Sequence, residues 1–172
     1  MAIHLTKHLK HLKLTSIDIE VALAHHFDFR RNLIVPNVYW GLNFGHEIDL
    51  LVVYKSGWAY EIEIKVSKAD IKRDQKKGKW NGRTYGTDKI KCMFFAVPES
   101  LKDFALEHIP AECGLITVAE NELFDVNTCK STTINKNARK LTDSEILKLA
   151  KLGCMRIWSL KNTINDKREG RS

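Results

Sequence analysis

The sequence lacks the features that mark several classes of protein. Its four cysteines, at positions 92, 113, 129 and 154, are far apart and form no Cys-x-x-Cys pair, which argues against a zinc knuckle or a dithiol redox motif and indicates reduced, packed thiols. No apolar run approaches the roughly 18 to 20 residues of a membrane span, and the N-terminus has no secretory apolar region. These absences predict a cytoplasmic protein with no membrane partner.

Acidic residues are also in deficit. The chain has 28 Lys and Arg against 21 Asp and Glu, so its net charge is +7. Such a balance favours a polyanionic partner, with nucleic acid as the first candidate. With 172 residues, of which 44% are hydrophobic, the chain is long enough for one sizeable core. We expect a single domain over residues 15–160, preceded by a basic arm (1–14) and followed by a charged, disordered tail (161–172).

The N-terminal arm carries histidines at helical spacing. His4, His8 and His11 lie beside a stripe of leucines, which invites a metal interpretation. The interleaved lysines favour a basic amphipathic arm that covers the edge of the core and contacts phosphate.

The most informative stretch is a predicted β-hairpin at residues 48–67. Residues 48–53 form a short apolar run, residues 54–58 supply polar turn chemistry with a glycine, and residues 59–67 alternate strictly. Side chains of a strand alternate between its two faces, so Glu61, Glu63 and Lys65 share one face. The turn should return Lys65 to the vicinity of Asp49, at the start of the first strand.

Two carboxylates and a lysine at one point suit a hydrolytic Mg²⁺ site. Mg²⁺ takes oxygen ligands, which Asp49 and Glu63 would provide, with the Ile64 carbonyl as a possible third. Lys65 would orient or help to deprotonate a bound water and offset charge developing on a phosphate. The alternative is a half-exposed strand whose outer face carries a solvated ladder of charges.

A helix is predicted from Thr15, which forms a capping box with Asp18, to about residue 29. Its predicted apolar face contains Ile17, Val21, Ala24 and Phe27. Glu20 lies within that stripe, and a carboxylate there needs a compensating metal or lysine, so Glu20 is a candidate third acid. The alternative is that Glu20 sits at the edge of the stripe and reaches solvent or a surface cation.

A second helix, opened by Ser67 and Asp70, begins where the hairpin ends. Its basic residues and those of the following loop would supply sequence-independent attraction to a phosphodiester backbone: Lys68, Lys72, Arg73, Lys76, Lys77, Lys79 and Arg83. Trp80 and Tyr85 of the loop would stack on bases or sugars. A solvated helix followed by a flexible loop is the alternative.

The remaining elements predict an α/β fold with a mixed sheet of about five strands. A strand broken by Pro36 covers residues 33–40, and a buried strand covers residues 90–97. A short helix then leads to a strand at 113–119, an order that favours a parallel pair. Residues 128–140 are polar without periodicity, and a terminal helix covers residues 142–158.

Four segments carry a resemblance to a known group of enzymes: HEIDLLVV, YEIEIKVSKADIKRDQ, FFAVPESL and CGLITV. Their linked order, αβββαβαβ with D…ExK at its centre, resembles the PD-(D/E)XK nuclease superfamily (restriction-endonuclease-like fold), and within it the MmcB-type DNA repair family.

The resemblance implies a Mg²⁺- or Mn²⁺-dependent deoxyribonuclease that acts in DNA repair or mobile-element maintenance. It makes Asp49 and Glu63 metal ligands, Lys65 the catalytic lysine and Glu20 the helix acid that some members add to the metal. Asp70 and Asp74 fall where the narrower family has aspartates, and with Glu61 they would support the ligands or the lysine. Relatives that cut both strands as pairs make a homodimer possible. The competing classes are a nucleic-acid-binding module of the same fold that does not cut, and a protein-interaction domain.

Overall fold

A computed structural model describes residues 13–76, 87–120 and 125–170, with the backbone alone for residues 74–76. The elements are α1 (Ser16–His26), β1 (Leu33–Val38), β2 (Ile48–Val53), β3 (Ala59–Ile64), α2 (Lys68–Lys76), β4 (Ile90–Pro98), a 3₁₀ turn (Glu99–Leu101), α3 (Lys102–His108), β5 (Gly114–Val118), β6 (Val126–Lys130) and α4 (Asp143–Arg168). The strands form one mixed sheet flanked by helices, in the order β1-β2-β3-β4-β5-β6. No helix in these ranges has both the length and the apolar character needed to cross a bilayer.

The connections determine the direction of each strand. β1, β2 and β3 form an antiparallel meander joined by short segments. β4 and β5 are each parallel to the preceding strand, since a crossover containing α2 or α3 separates the members of each pair. The predicted hairpin and the predicted parallel pair are therefore confirmed.

Within the described residues the sheet has six strands, one more than the approximate number predicted. The additional strand, β6, pairs antiparallel with β5. It overlaps residues 128–140, for which the sequence predicts no periodic structure. Two of its five residues are exposed and none is buried. An edge strand with so little burial needs no apolar alternation, which explains why the sequence pattern gave no signal.

The two faces of the sheet pack against different helices. On the face that we call the α1 face, α1 covers an apolar cluster that includes Leu50, Val52, Ile62 and Ile64. The opposite side, which we call the α4 face, carries two separate clusters. One packs β1 and β2 against α4, and the other packs β4 and β5 against α2 and α3.

Helix α1 begins as predicted, with Thr15 as its N-cap and a capping box formed with Asp18. Its buried face is not the predicted one, however. Ile17 and Val21 are 67% and 41% exposed, whereas the fully buried residues are Ile19, Ala22 and Leu23. Apolar residues occur around most of this short helix, so periodicity alone does not identify the side that faces the sheet.

Helix α4 continues to Arg168, so the prediction of a disordered tail from residue 161 is wrong for the part of it that the structure describes. Thr142 caps the helix, and Leu149 and Leu152 are buried in its first half. Residues 157–170 are all exposed. Residues 154–168 contain neither glycine nor proline, so no residue in this stretch interrupts the helix.

Candidate active site

The hairpin of β2 and β3 brings Asp49 next to Glu63. Leu50 pairs with Ile62, and the next pair in this antiparallel register is Asp49 with Glu63. The backbone N–H of Ile64 donates a hydrogen bond of 2.8 Å to Oδ2 of Asp49. The convergence expected from the spacing is therefore present.

Lys65 completes the group. Its Nζ lies 2.8 Å from Oε2 of Glu63 and 3.9 Å from Oδ2 of Asp49. The Glu63 residue is only 3% exposed, so this ion pair is well shielded from water. All three side chains lie on the α4 face, as the period-two alternation predicts, so the solvated charge ladder is not what the chain forms.

Burial and like charge perturb the carboxyl group of Asp49. Burial, followed by the negative charge of Glu63 and a hydrogen bond between the two carboxyl groups, raises the pKa of Asp49 to about 6, although the Ile64 N–H and Lys65 oppose the shift. A bound cation would stabilise such a pair of carboxylates, because it offsets the repulsion between the two negative charges.

The donors fit a hard divalent cation. Asp49 and Glu63 provide carboxylate oxygens, and the side chain of Asp49 is 34% exposed, which leaves room for water or a phosphate oxygen. The Ile64 N–H points towards Asp49, and in a strand the N–H and C=O of one residue point to the same neighbour. The Ile64 carbonyl therefore lies on the Asp49 side of β3, consistent with its predicted role.

A histidine that the sequence prediction missed lies beside this group. Nε2 of His46 is 2.6 Å from Oε1 of Glu61, which is itself 3% exposed. His46 belongs to the loop between β1 and β2. Leu42 and Phe44 of that loop are buried in the cluster shared with α4, and this packing holds the loop on the α4 face. Nothing in the local pattern indicated this position, since it depends on the packing of the loop.

The same loop surrounds an open cavity of about 510 Å³ next to His46. The residues that line it are Tyr39, Trp40, Gly41, Asn43, Gly45 and His46. Tyr39 and Trp40 are 70% and 51% exposed. Asn43, Gly41 and Gly45 all have positive φ values, and glycine adopts this conformation without strain. The cavity therefore places two accessible aromatic rings beside His46.

The structure does not bring Glu20 to Asp49 and Glu63. Helix α1 packs on the opposite face of the sheet. Glu20 lines a separate cavity of about 790 Å³ formed with β1 and α4. Burial raises its pKa. The acid is half-buried for a different reason from the one predicted: it lies in an apolar groove at the β1 edge and away from the hairpin.

Helix α2, the predicted DNA-binding helix, has one side packed on the sheet and its described basic residues on the exposed side. Ile71 is buried beneath it, whereas Lys68, Lys72 and Arg73 are exposed. The ammonium groups of Lys68 and Lys72 lie 5.2 and 5.5 Å from the ring centroid of Phe104.

Asp70 acts locally at the start of this helix. Its carboxylate accepts a hydrogen bond from the Ser67 hydroxyl and pairs with Arg73. This explains Asp70 as a capping residue rather than as a support for the ligands. Several predicted side chains lie outside the described residues: Asp74, Lys76, Lys77, Lys79, Trp80, Arg83 and Tyr85.

Comparison with known proteins identifies a similar fold. No protein-family model matches the chain, and no curated protein matches its sequence. A solved structure from Silicibacter pomeroyi, described as a protein of unknown function, is similar over 91% of this chain and 96% of its own length, with a TM-score of 0.58 and 21% identity. The chain therefore shares an α/β architecture with that bacterial protein.

Proposed function

We propose that this protein is a metal-dependent deoxyribonuclease of the restriction-endonuclease-like fold, which hydrolyses phosphodiester bonds in DNA repair or mobile-element maintenance. The observation that carries the proposal is the meeting of Asp49, Glu63 and Lys65 on one face of the β2–β3 hairpin. Neighbouring buried carboxylates destabilise a folded protein unless they bind a ligand. Such arrangements are common in active sites.

Each residue has a role that follows from its contacts. Asp49 and Glu63 would hold Mg²⁺ or Mn²⁺, with the Ile64 carbonyl as a further donor. A bound ion of this kind polarises a phosphoryl oxygen and lowers the pKa of a water. The hydrogen bond from the Ile64 N–H orients the Asp49 carboxylate. Lys65, held by Glu63, places a positive charge beside the position of the scissile phosphate and stabilises negative charge that develops there.

The surroundings suit a DNA substrate. Three exposed cations of α2 (Lys68, Lys72 and Arg73) follow Lys65 closely in the chain and supply contacts to the phosphate backbone. Tyr39 and Trp40 offer exposed rings at the cavity beside His46, where unstacked bases could be accommodated. The cations of α2 would thus attract a negatively charged substrate towards a site whose own carboxylates would otherwise repel it.

Incubation with DNA and a divalent metal tests the proposal directly. Linear, nicked, branched and single-stranded DNA, and RNA as a comparison, are mixed with the protein in Mg²⁺ or Mn²⁺. We expect cleavage of DNA that is abolished by EDTA and reduced at least about a hundredfold by Asp49→Ala and by Lys65→Ala.

The outcomes separate the three classes of function. Metal-dependent cleavage that both substitutions remove supports the nuclease. Salt-sensitive DNA binding without cleavage in any condition supports a module of the same fold that does not cut. Absence of both binding and cleavage favours a protein-interaction domain. Cleavage that survives both substitutions would indicate a contaminating nuclease and leave the proposal without support.

A further inference from the structure

Three side chains that are typical metal ligands meet on the α4 face. One ligand atom from each of His46, Glu61 and Glu63 lies within 4.8 Å of the other two. Three atoms that are at most 4.8 Å apart lie within roughly 2.8 Å of a common centre, whereas ligand distances are about 2.1 Å. Inward shifts of at most roughly 0.7 Å at each atom would therefore allow all three to bind one ion.

The scaffold holds these ligands in place. Glu61 and Glu63 are two residues apart on β3, on the same side of the strand, and both are 3% exposed. Both are paired, Glu61 with His46 at 2.6 Å and Glu63 with Lys65 at 2.8 Å, and these contacts hold their oxygen atoms in place. His46 lies over them because Leu42 and Phe44 anchor its loop. A site with two ligands from one strand and a third from an anchored loop needs little reorganisation.

The mixed donor set indicates the class of ion. Mg²⁺ and Ca²⁺ prefer oxygen ligands alone, whereas an imidazole nitrogen with carboxylates suits first-row transition ions. Of the three ligands, His46 also lines the open cavity formed by its loop. The side chain of His46 is 25% exposed, so its ring borders solvent on one side and the buried acids on the other.

We propose that His46, Glu61 and Glu63 form a binding site for a divalent transition-metal ion, adjacent to the Asp49–Glu63 pair and sharing Glu63 with it. The site goes beyond the proposed nuclease and does not depend on it, because its ligands and its selectivity follow from geometry and donor chemistry. In a protein that also binds Mg²⁺ through Asp49, Glu63 would bridge two ions.

Pulsed electron paramagnetic resonance of bound Mn²⁺ tests this site, because a coordinated imidazole gives a ¹⁴N modulation that carboxylates do not. The metal-free full-length protein is titrated with MnCl₂. Since histidines of the N-terminal arm can bind the same ion, all measurements use a variant with His4, His8 and His11 replaced by alanine. We expect ¹⁴N modulation in this background, with its loss in both His46→Ala and His46→Gln.

Three further variants locate the site. Glu61→Gln should weaken the binding of the ion that gives the modulation at least about tenfold. Asp49→Asn should retain the modulation, because Asp49 belongs to the other pair. His25→Ala, which removes an exposed histidine of α1 on the opposite face, should leave it unchanged. Urea unfolding of each variant establishes that the comparison is between folded proteins.

Several outcomes would overturn the proposal. These are Mn²⁺ binding without ¹⁴N modulation, modulation that persists in a folded His46→Gln protein, and the absence of Mn²⁺ binding. The nuclease proposal fails separately: a protein that shows the expected modulation but never cleaves DNA has this metal site without that activity. A protein that cleaves DNA with Mg²⁺ but gives no modulation has the activity without this site.

Discussion

The two faces of the sheet are built from the same strands and differ in chemistry. On the α1 face, β2 and β3 contribute Leu50, Val52, Ile62 and Ile64 to a cluster closed by α1. On the α4 face, the alternate residues of β3 are Glu61 and Glu63, which lie between Leu51 on one side and Met93 and Phe95 on the other. These flanking residues belong to two different apolar clusters. One face therefore serves stability, and the gap between the clusters on the other holds the ionisable groups.

The largest expected effect concerns two lysines that are close in sequence. If the protein is the proposed nuclease, Lys65→Met should reduce metal-dependent DNA cleavage at least about a hundredfold, because it removes a largely buried positive charge beside the proposed position of the scissile phosphate. Single-turnover cleavage at saturating protein measures this loss without a contribution from binding.

The matched control is Lys68→Met, on the exposed surface of α2. Its single-turnover rate should change little, whereas its DNA affinity should decrease and the slope of log K against log salt should fall by about 1. Equal losses of rate in the two variants would mean that the position of Lys65 beside Glu63 confers no special role.

The next effect tests the α1 face. Ile19→Ala should destabilise the protein by about 2 to 5 kcal/mol, since Ile19 is fully buried and its removal leaves a cavity. Urea unfolding monitored by circular dichroism measures the change. Ile17→Ala, on the same helix but 67% exposed, should remain within about 0.5 kcal/mol of the parent. A larger effect at Ile17 would restore the apolar face predicted from the sequence.

The features that the sequence predicts correctly depend on residues close together in the chain. Local rules were sufficient for Asp49, Glu63 and Lys65, because strand periodicity and a short turn determine which side chains meet. The cap of α1 is also local, as it depends on Thr15 and Asp18.

Other features depend on tertiary packing and could not be predicted in this way. His46 reaches Glu61 only because Leu42 and Phe44 hold its loop on the sheet. Glu20 is a candidate ligand from the sequence because it lies within the predicted apolar stripe of its helix, but contact with the sheet selects a different side of that helix for burial. Strand β6 gave no signal since an edge strand needs little burial.

An intermediate effect is expected at the aromatic cavity. Trp40→Ala should weaken the binding of single-stranded DNA by about 1 to 3 kcal/mol if a base stacks on the ring. Fluorescence anisotropy with a labelled oligonucleotide, in EDTA to prevent cleavage, measures the affinity. The control is Trp158→Ala, because Trp158 is similarly exposed but lies on the second half of α4. Equal losses in both variants would indicate non-specific aromatic contact rather than a site beside His46.

The smallest effect concerns the stability of the metal-free protein. The pKa of Asp49 is raised to about 6, so the folded state holds this proton more tightly than the unfolded chain does. Between about pH 4 and pH 6 the unfolded state loses the proton first, and stability therefore falls as pH rises through this window. Above it the folded protein carries the full penalty of a buried charge beside Glu63.

Asp49→Asn removes that penalty. The variant should be more stable than the parent at pH 7 to 8 by on the order of 1 kcal/mol, because partial exposure lets water screen the charge. The gain should vanish below about pH 3, where Asp49 is protonated in both states. Urea unfolding in EDTA at several pH values measures it, with the exposed Asp166→Asn as the control. If the parent is as stable as Asp49→Asn at pH 8, the acids of the α4 face do not destabilise the protein. The two faces would then differ in composition but not in their contribution to stability.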